Sequence, residues 1–230
     1  MLHRLLLFLM PMQQNTAFIF DMDGTMLNNM QFHLQAWEKV VTAAGSDLRG
    51  DRLFPQLYGK NSEVLERIFG EGAFSPEEIN RMALEKDALY RELYKPTIEL
   101  LPGLEDFLKE ARRQGITLAI ATAAIKENID FAVDALHIRS LFSALVSERE
   151  VKKSKPDPET FLVAAKELGM PPSRCIVFED VPKGVEAAQR AGMKAVAVMT
   201  SHKREEFDDY PNILRTIDDF TGLKVQDLVS

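Results

Sequence analysis

One cysteine, Cys175, occurs in 230 residues. No internal disulfide can form, and the chain suits a reducing compartment. Cys175 lies in the apolar run Cys-Ile-Val-Phe, where a thiol packs as a small hydrophobe, so it is read as inert core and not as a nucleophile. Positive charge is in deficit: 28 Lys and Arg stand against 35 Asp and Glu, giving a net charge of −7. Nucleic acid and anionic membrane both require a basic face, and neither fits as a main partner. No apolar run is long enough to span a bilayer. The N-terminal stretch MLHRLLLFLMPM carries one arginine and has the look of a weak secretion signal. No small-residue cleavage site follows it, and strand-like sequence begins almost at once. Residues 1–15 are therefore read as an extension with an over-long or non-native start, the natural first residue being Met10 or Met12, on a cytoplasmic protein. Repeats and low-complexity segments are absent. Hydrophobic residues make up 46 % and charged residues 27 %, as in ordinary soluble globular proteins with one large or two small domains. The oligomeric state is left open, and a monomer is compatible with the sequence.

Two patterns alternate along the chain. Short β-rich runs occupy residues 18–21, 116–121, 143–147, 175–179 and 195–199. After the first, amphipathic stretches separate them. Leu104, Phe107, Leu108 and Ala111 mark one helix, stopped by Gly115. Asp157 and Pro158 open a second as N-cap and first-turn proline, and Gly169 ends it. Val185, Ala188 and Ala191 mark a third, ended by Gly192. Strands apolar throughout, alternating with helices, predict a Rossmann-like, doubly wound parallel sheet covered on both faces. Residues 30–98 differ, with helical spacing and no strand signal. Phe32, Ala36, Val40 and Ala44 share a face. Ser75-Pro76-Glu77-Glu78 is a capping box with a first-turn proline. Ile79, Met82, Lys86, Leu89 and Leu93 follow at helical spacing, with Lys86 the polar exception. The predicted organisation is an α/β core at 16–29 and 99–230, interrupted by an all-α cap at 30–98.

Chemistry-bearing residues sit where the core strands end. Asp21 and Asp23 follow the first apolar run. If the strand persists to Asp23, both carboxylates point to one side and repel, so one holds a proton or a cation lies between them. Gly24 then lets the chain depart sharply. Glu179-Asp180 ends a second apolar strand. In a parallel sheet both acidic pairs fall at the carboxyl edge, where ligands bind. Three or four carboxylates around one point make a hard-oxygen site suited to Mg²⁺. Thr122 ends a third strand, offering a hydroxyl and neighbouring backbone N–H groups, that of Ala123 among them. Lys155 precedes a proline-initiated helix. A hydroxyl, a lysine and a metal converging on one carboxylate describe a phosphoryl site in which the carboxylate attacks phosphorus. Each feature alone is common as a turn or a cap; four in order at four strand ends are not.

Together these residues resemble the motifs of the haloacid dehalogenase-like superfamily. Asp21-Met22-Asp23-Gly24-Thr25, Thr122, Lys155-Pro156 and Glu179-Asp180 match all four, and Pro182-Lys183-Gly184 with Ala187-Ala188 continues the last. The resemblance runs from about residue 17 to 199. The helical insertion resembles the small cap of the β-phosphoglucomutase-like branch, and Phe32-His33-Leu34-Gln35-Ala36-Trp37 is similar to the start of that cap. The resemblance implies that Asp21 is nucleophile and Mg²⁺ ligand. Asp23 would be the acid for the leaving group, then the base for water, and would bind the metal through its backbone carbonyl. Thr122, Lys155, Gly24 and Ala123 would hold the phosphoryl group. Asp180 would ligate the metal, with Glu179 a direct or water-mediated ligand. True haloalkanoate dehalogenases lack the counterpart of Asp23, because halide leaves without a proton. Its presence here favours phosphate chemistry.

The cap departs from the mutase pattern. Where the β-phosphoglucomutases carry an arginine that grips a distal phosphate, this chain has Ser62. Lys60 is a candidate substitute, though a point charge and not a bidentate fork. Asn61 beside it, His33 at the cap hinge and Lys126 are further candidates for substrate contact. After Thr122 the mutases carry more polar residues, and here Ala123, Ala124 and Ile125 follow. The leading expectation is a Mg²⁺-dependent phosphatase acting on a small phosphorylated metabolite through an aspartyl-phosphate. A phosphosugar mutase and an inorganic pyrophosphatase are alternatives. Phospho-receiver modules also use Asp, Thr and Lys, but they are about half this length and lack a cap.

Overall fold

Runs rich in β-branched and aromatic residues become strands, and the amphipathic stretches between them become helices. The computed structural model describes residues 16–229; residues 1–15, on which the N-terminal expectation falls, and Ser230 lie outside the described residues. The elements run β1 (Ala17–Phe20), α1 (Met30–Ala43), α2 (Gly50–Leu53), α3 (Asn61–Phe69), α4 (Pro76–Tyr94), α5 (Leu104–Arg113), β2 (Thr117–Ala121), α6 (Lys126–Ala135), β3 (Ala144–Val146), α7 (Glu159–Glu167), β4 (Cys175–Glu179), α8 (Pro182–Arg190), β5 (Lys194–Val198), β6 (Ile213–Ile217) and α9 (Gln226–Val229). Among the described residues no helix is long and apolar enough to cross a membrane.

The sheet is parallel throughout, in the order β3-β2-β1-β4-β5-β6. The chain builds outward from β1 through β2 to β3, then returns to the other side of β1 for β4. Strand order therefore reverses between β1 and β4, and a crevice opens at their carboxyl ends.

Side-chain size differs between the two faces. Alternate strand residues point opposite ways. Phe18, Phe20, Leu118, Ile120, Phe178 and Val196 face one layer, with Leu104, Phe107 and Leu108 of α5 and Ile129 and Val133 of α6. Ala17, Ala119, Ala121, Ala195 and Ala197 face the other, so Phe161 of α7 and Val185 and Ala188 of α8 approach the sheet closely. On the large-residue face Phe20 and Phe178 stack with ring centroids 4.4 Å apart, and Phe107 stacks on Phe18 at 5.7 Å. In the helical block, α1 packs along α4. Trp37, Val40, Val41, Val64, Leu65 and Met82 form a separate small core there. The Ser75 hydroxyl accepts from the Glu78 N–H, the Glu78 carboxylate accepts from the Ser75 N–H, and Pro76 begins α4.

The structure departs from the sequence pattern in several places. β1 stops at Phe20, so Asp21 and Asp23 do not share one strand face. Instead Asp23 forms an isolated bridge with Leu27 in the turn that follows. β3 is shorter than its apolar run. The helix expected to start at Pro158 starts at Glu159, and Asp157 accepts the Glu159 N–H one position later than expected. β6 was not anticipated, because as an edge strand its Leu214 and Arg215 are exposed and its apolar pattern is broken.

Phe178 is fully buried at the centre of the aromatic layer. Phe178→Ala is expected to lower unfolding stability by about 3–5 kcal/mol, as for other buried aromatic truncations. Urea titration checks this; a loss below about 1 kcal/mol would mean that the layer repacks and does not anchor the sheet.

Candidate active site

Three strand ends and one loop bring the polar residues together. Asp21 follows β1, and its N–H donates to the Phe178 carbonyl at 3.0 Å, holding it beside β4. Glu179 ends β4 and Asp180 follows it. Thr122 follows β2, its N–H donating to the Val146 carbonyl at 3.1 Å while its hydroxyl accepts from the Ala124 N–H. Lys155, from the loop before α7, donates to Asp21 Oδ1 at 2.6 Å and also to Glu179 Oε1. The other oxygen of Glu179 accepts the N–H groups of Asp180 (2.8 Å) and Val181 (3.0 Å), so this buried carboxylate is committed to Lys155 and the backbone. Gly24 has φ +81°, and a Cβ there would overlap the Asp180 carboxylate. The turn can thus bring Asp23 and Gly24 against Asp180 only without a side chain. Thr25 donates its hydroxyl to Asp180 Oδ1 at 2.9 Å and orients it.

Charge is crowded here. Asp21 and Glu179 are buried against one ammonium, and Asp180 is buried beside these two carboxylates. Burial pushes Asp21 up to about 7; Lys155 pulls it down, and Glu179 and Asp23 add to the rise. Burial, then Glu179 and Asp21, hold Asp180 well above the usual carboxylate range. Burial alone would lower Lys155, but Asp21 and Glu179 outweigh it and keep the ammonium above its ordinary value.

Asp23 faces the other way, toward the helical block. Its Oδ1 accepts from Asn29 Nδ2 at 2.5 Å and lies 3.4 Å from His33 Nε2. Burial would raise Asp23, yet His33, Asn29 and Lys86 together keep it below its usual value. His33 is itself held low by burial and by Lys86. Behind it, Lys86 Nζ lies 3.0 Å from His33 Nδ1 and 2.9 Å from Asp87 Oδ1. Asp87 in turn accepts from Asn61 (2.7 Å) and from Asn128 of α6 (2.9 Å), tying α4 to the sheet domain.

These residues line one cavity of about 600 Å³, between the carboxyl edge of the sheet and the helical block. Asp21, Asp23, Thr122, Ala123, Lys155, Glu179, Asp180, His33, Lys60 and Asn61 all reach it. Lys126 does not: its ammonium pairs with Asp130 one turn along α6, on an exposed surface. Lys60, expected to contact substrate, instead donates to the carbonyls of Glu148 (3.1 Å) and Val151 (2.5 Å) across the domain gap. Sequence inspection missed Asn29, Lys86, Asp87, Asn128 and Ser154. Lys86 had one signal, a charge within an apolar stripe. Asn29 had none, since its partners Asp23, Tyr90 and the Gly24 N–H converge only in the fold.

The donors suit a hard divalent cation. Among the described residues no group of three or more His, Cys, Asp or Glu side chains is gathered to hold a metal unaided. Mg²⁺ commonly takes one or two carboxylates and fills its remaining positions with water and substrate phosphate. Asp21 and Asp180, with the Asp23 carbonyl, are of that kind. Burial first, and the neighbouring carboxylates after it, raise the pKa values of the first two.

The family model for haloacid dehalogenase-like hydrolases matches residues 18–198. Fructose-1-phosphate phosphatase YqaB of Escherichia coli is 32 % identical over 81 % of this chain and 97 % of its own length. A β-phosphoglucomutase from Clostridium difficile superposes with a TM-score of 0.81 at 30 % identity, covering 91 % of this chain and 93 % of the other. CbbY from Rhodobacter sphaeroides, solved with phosphate, gives 0.79 at 28 % identity over 92 % and 98 %. The sequence motifs, the parallel sheet and these likenesses agree: the chain belongs to the haloacid dehalogenase-like hydrolases, on the β-phosphoglucomutase-like branch, and is a phosphoric monoester hydrolase or phosphotransferase.

Proposed function

We propose that this protein is a Mg²⁺-dependent phosphatase of small phosphorylated metabolites, working through an aspartyl-phosphate on Asp21. The observation that carries this is the placement of a buried carboxylate, Asp21, 2.6 Å from the ammonium of Lys155, with Asp23 two residues on and turned toward the cap. An Asp21 oxygen attacks phosphorus, the bond from phosphorus to the ester oxygen breaks, and Asp23 gives its proton to the departing alcohol. Water then attacks phosphorus, Asp23 takes its proton, and the bond to Asp21 breaks to free phosphate. Asp23 as held here, below its ordinary pKa, is in the state that accepts the proton from water. An anionic phosphate arriving beside it raises its proton affinity and prepares it for the first step. Thr122 and Lys155 hold phosphoryl oxygens, with N–H groups from the Ala123 region. Asp21, Asp180 and the Asp23 carbonyl would ligate Mg²⁺, which when bound supplies positive charge against the phosphoryl oxygens. Glu179 acts through Lys155, to which it is bonded. A single buried cysteine and the net charge of −7 support a cytoplasmic enzyme without nucleic-acid or membrane partners.

The likeness to a β-phosphoglucomutase keeps the mutase as the second reading. A mutase must hold its intermediate by a distal phosphate from the cap, and a bidentate arginine does this strongly. Ser62 cannot, and Lys60 is engaged by Glu148 and Val151.

Phosphate release from sugar phosphates is expected to stop in EDTA and return with Mg²⁺; full turnover in metal-free buffer would refute the site assignment. With β-glucose 1-phosphate and a trace of bisphosphate primer, free phosphate should exceed glucose 6-phosphate. Accumulation of glucose 6-phosphate over many turnovers would establish a mutase.

Asp21→Asn should abolish turnover. Asp23→Asn should reduce kcat by about 10²–10⁴-fold, the usual worth of a positioned acid–base. Retention of more than about a third of kcat by Asp23→Asn would place the proton transfer elsewhere.

Ionisation of Asp21 also predicts a stability trend in EDTA. Its pKa rises on folding from 3.8 to about 7, so the folded state holds the proton more tightly. Its contribution is fully present below the unfolded value and is lost as pH rises toward the folded one. Asp21→Asn, which cannot ionise, should therefore gain stability relative to wild type between about pH 4 and pH 7. A difference independent of pH would contradict the raised pKa.

A further inference from the structure

The far wall of the cavity indicates which phosphate esters fit, given the phosphatase chemistry proposed above. Two cations from the helical block reach that wall, and both are committed. Lys60 Nζ is held by the carbonyls of Glu148 and Val151. Lys86 Nζ is held between His33 and Asp87. Asp87 and Glu148 lie on the same wall, so its two positive side chains are matched by two negative ones. Arg67 of α3 is spent on the carbonyls of Gln56 and Tyr58. Much of the remaining surface is apolar: Trp37, Phe54, Leu57, Val64, Ile125 and Val151. Among the described residues, one buried side-chain hydroxyl of the cavity lining, Ser154 Oγ, lacks a hydrogen-bond partner, while His33 Nε2 faces the Asp23 carboxylate. A free hydroxyl suits a neutral hydroxyl of an alcohol.

A second phosphate or carboxylate placed there would lose its hydration without gaining a free cation, which is costly. An apolar ring placed there would leave water for a wall of matching character. The cavity of about 600 Å³ falls within the range that encloses a molecule of drug size. A third cation of the lining, Lys183 from α8, lies over the Tyr58 ring, 3.6 Å from its centroid, and is exposed to solvent. We infer that the substrate is the phosphate monoester of a neutral alcohol carrying an apolar ring system beyond the ester linkage, and not a bisphosphate or a phosphorylated acid.

Matched esters test this, because within each pair the phosphate sits on the same primary alcohol. The pairs are adenosine 5′-monophosphate against ribose 5-phosphate, and flavin mononucleotide against ribitol 5-phosphate, assayed with Mg²⁺ for phosphate release. At least one ring-bearing member should exceed its partner in kcat/KM by about tenfold or more, an amount within reach of burying a few apolar groups. Phe54→Ala should narrow that ratio, with KM for the ring-bearing ester rising. Fructose 1-phosphate should likewise exceed fructose 1,6-bisphosphate. If ribose and ribitol phosphates are turned over as well as their ring-bearing partners, the inference fails while the phosphatase stands. A preference for the bisphosphate that disappears in Lys183→Met would also overturn it, by locating a second anion site at the mouth. If none of these esters releases phosphate, the inference and the phosphatase chemistry fall together.

Discussion

The crowding of Asp21, Glu179 and Asp180, with a single lysine bonded to the first two, is the constraint on which the site depends. Three buried carboxylates beside one ammonium carry excess negative charge, and burial makes that excess costly. The protein relieves part of it through Lys155 and through backbone N–H groups given to Glu179. Burial, together with the charge that remains, raises the proton affinity of Asp21 and Asp180. A site in this condition gains from any positive charge that enters it. The topology concentrates the charge: β1 and β4 are neighbours at the point where strand order reverses, and both end in acidic residues.

Asp23 connects this charged centre to the cap. Because β1 ends at Phe20, the turn directs Asp23 away from Asp21 and toward Asn29 and His33. His33 meets Lys86, Lys86 meets Asp87, and Asp87 meets Asn128 on the sheet domain. On the opposite side of the cavity, Lys60 bridges the gap to Glu148 and Val151. Asp23, the proposed acid and base, is thereby held by residues from both parts of the molecule. A loosened cap would alter the surroundings of Asp23 as well as access to Asp21.

The placement of these residues at strand ends was legible because each element of it is local. An apolar run followed by Asp-x-Asp-Gly, by Thr, or by Glu-Asp marks a strand and its edge without knowledge of any partner. The parallel order followed from strands with no polar face, as in β4, which is buried at every position. The cap network was not legible, since Lys86 lies 53 residues from His33 and Asp87 lies 41 from Asn128. Only the packing of α4 against α1 and α6 brings them together. Lys60 shows what local sequence leaves out. A lysine in a glycine-flanked loop facing a cavity has the sequence features of a substrate contact, but two backbone carbonyls 88 and 91 residues away take its ammonium. β6 escaped notice because an edge strand needs neither continuous apolarity nor strict alternation.

The central claim is that Asp21 is the phosphoryl acceptor. Beryllofluoride with Mg²⁺ mimics a carboxyl-phosphate, and its effect on the melting temperature measures that claim directly. Wild type should be stabilised by the pair beyond the effect of Mg²⁺ or fluoride alone, and Asp21→Asn should show no added stabilisation. Equal stabilisation of the two proteins would place the acceptor on another residue and contradict the account.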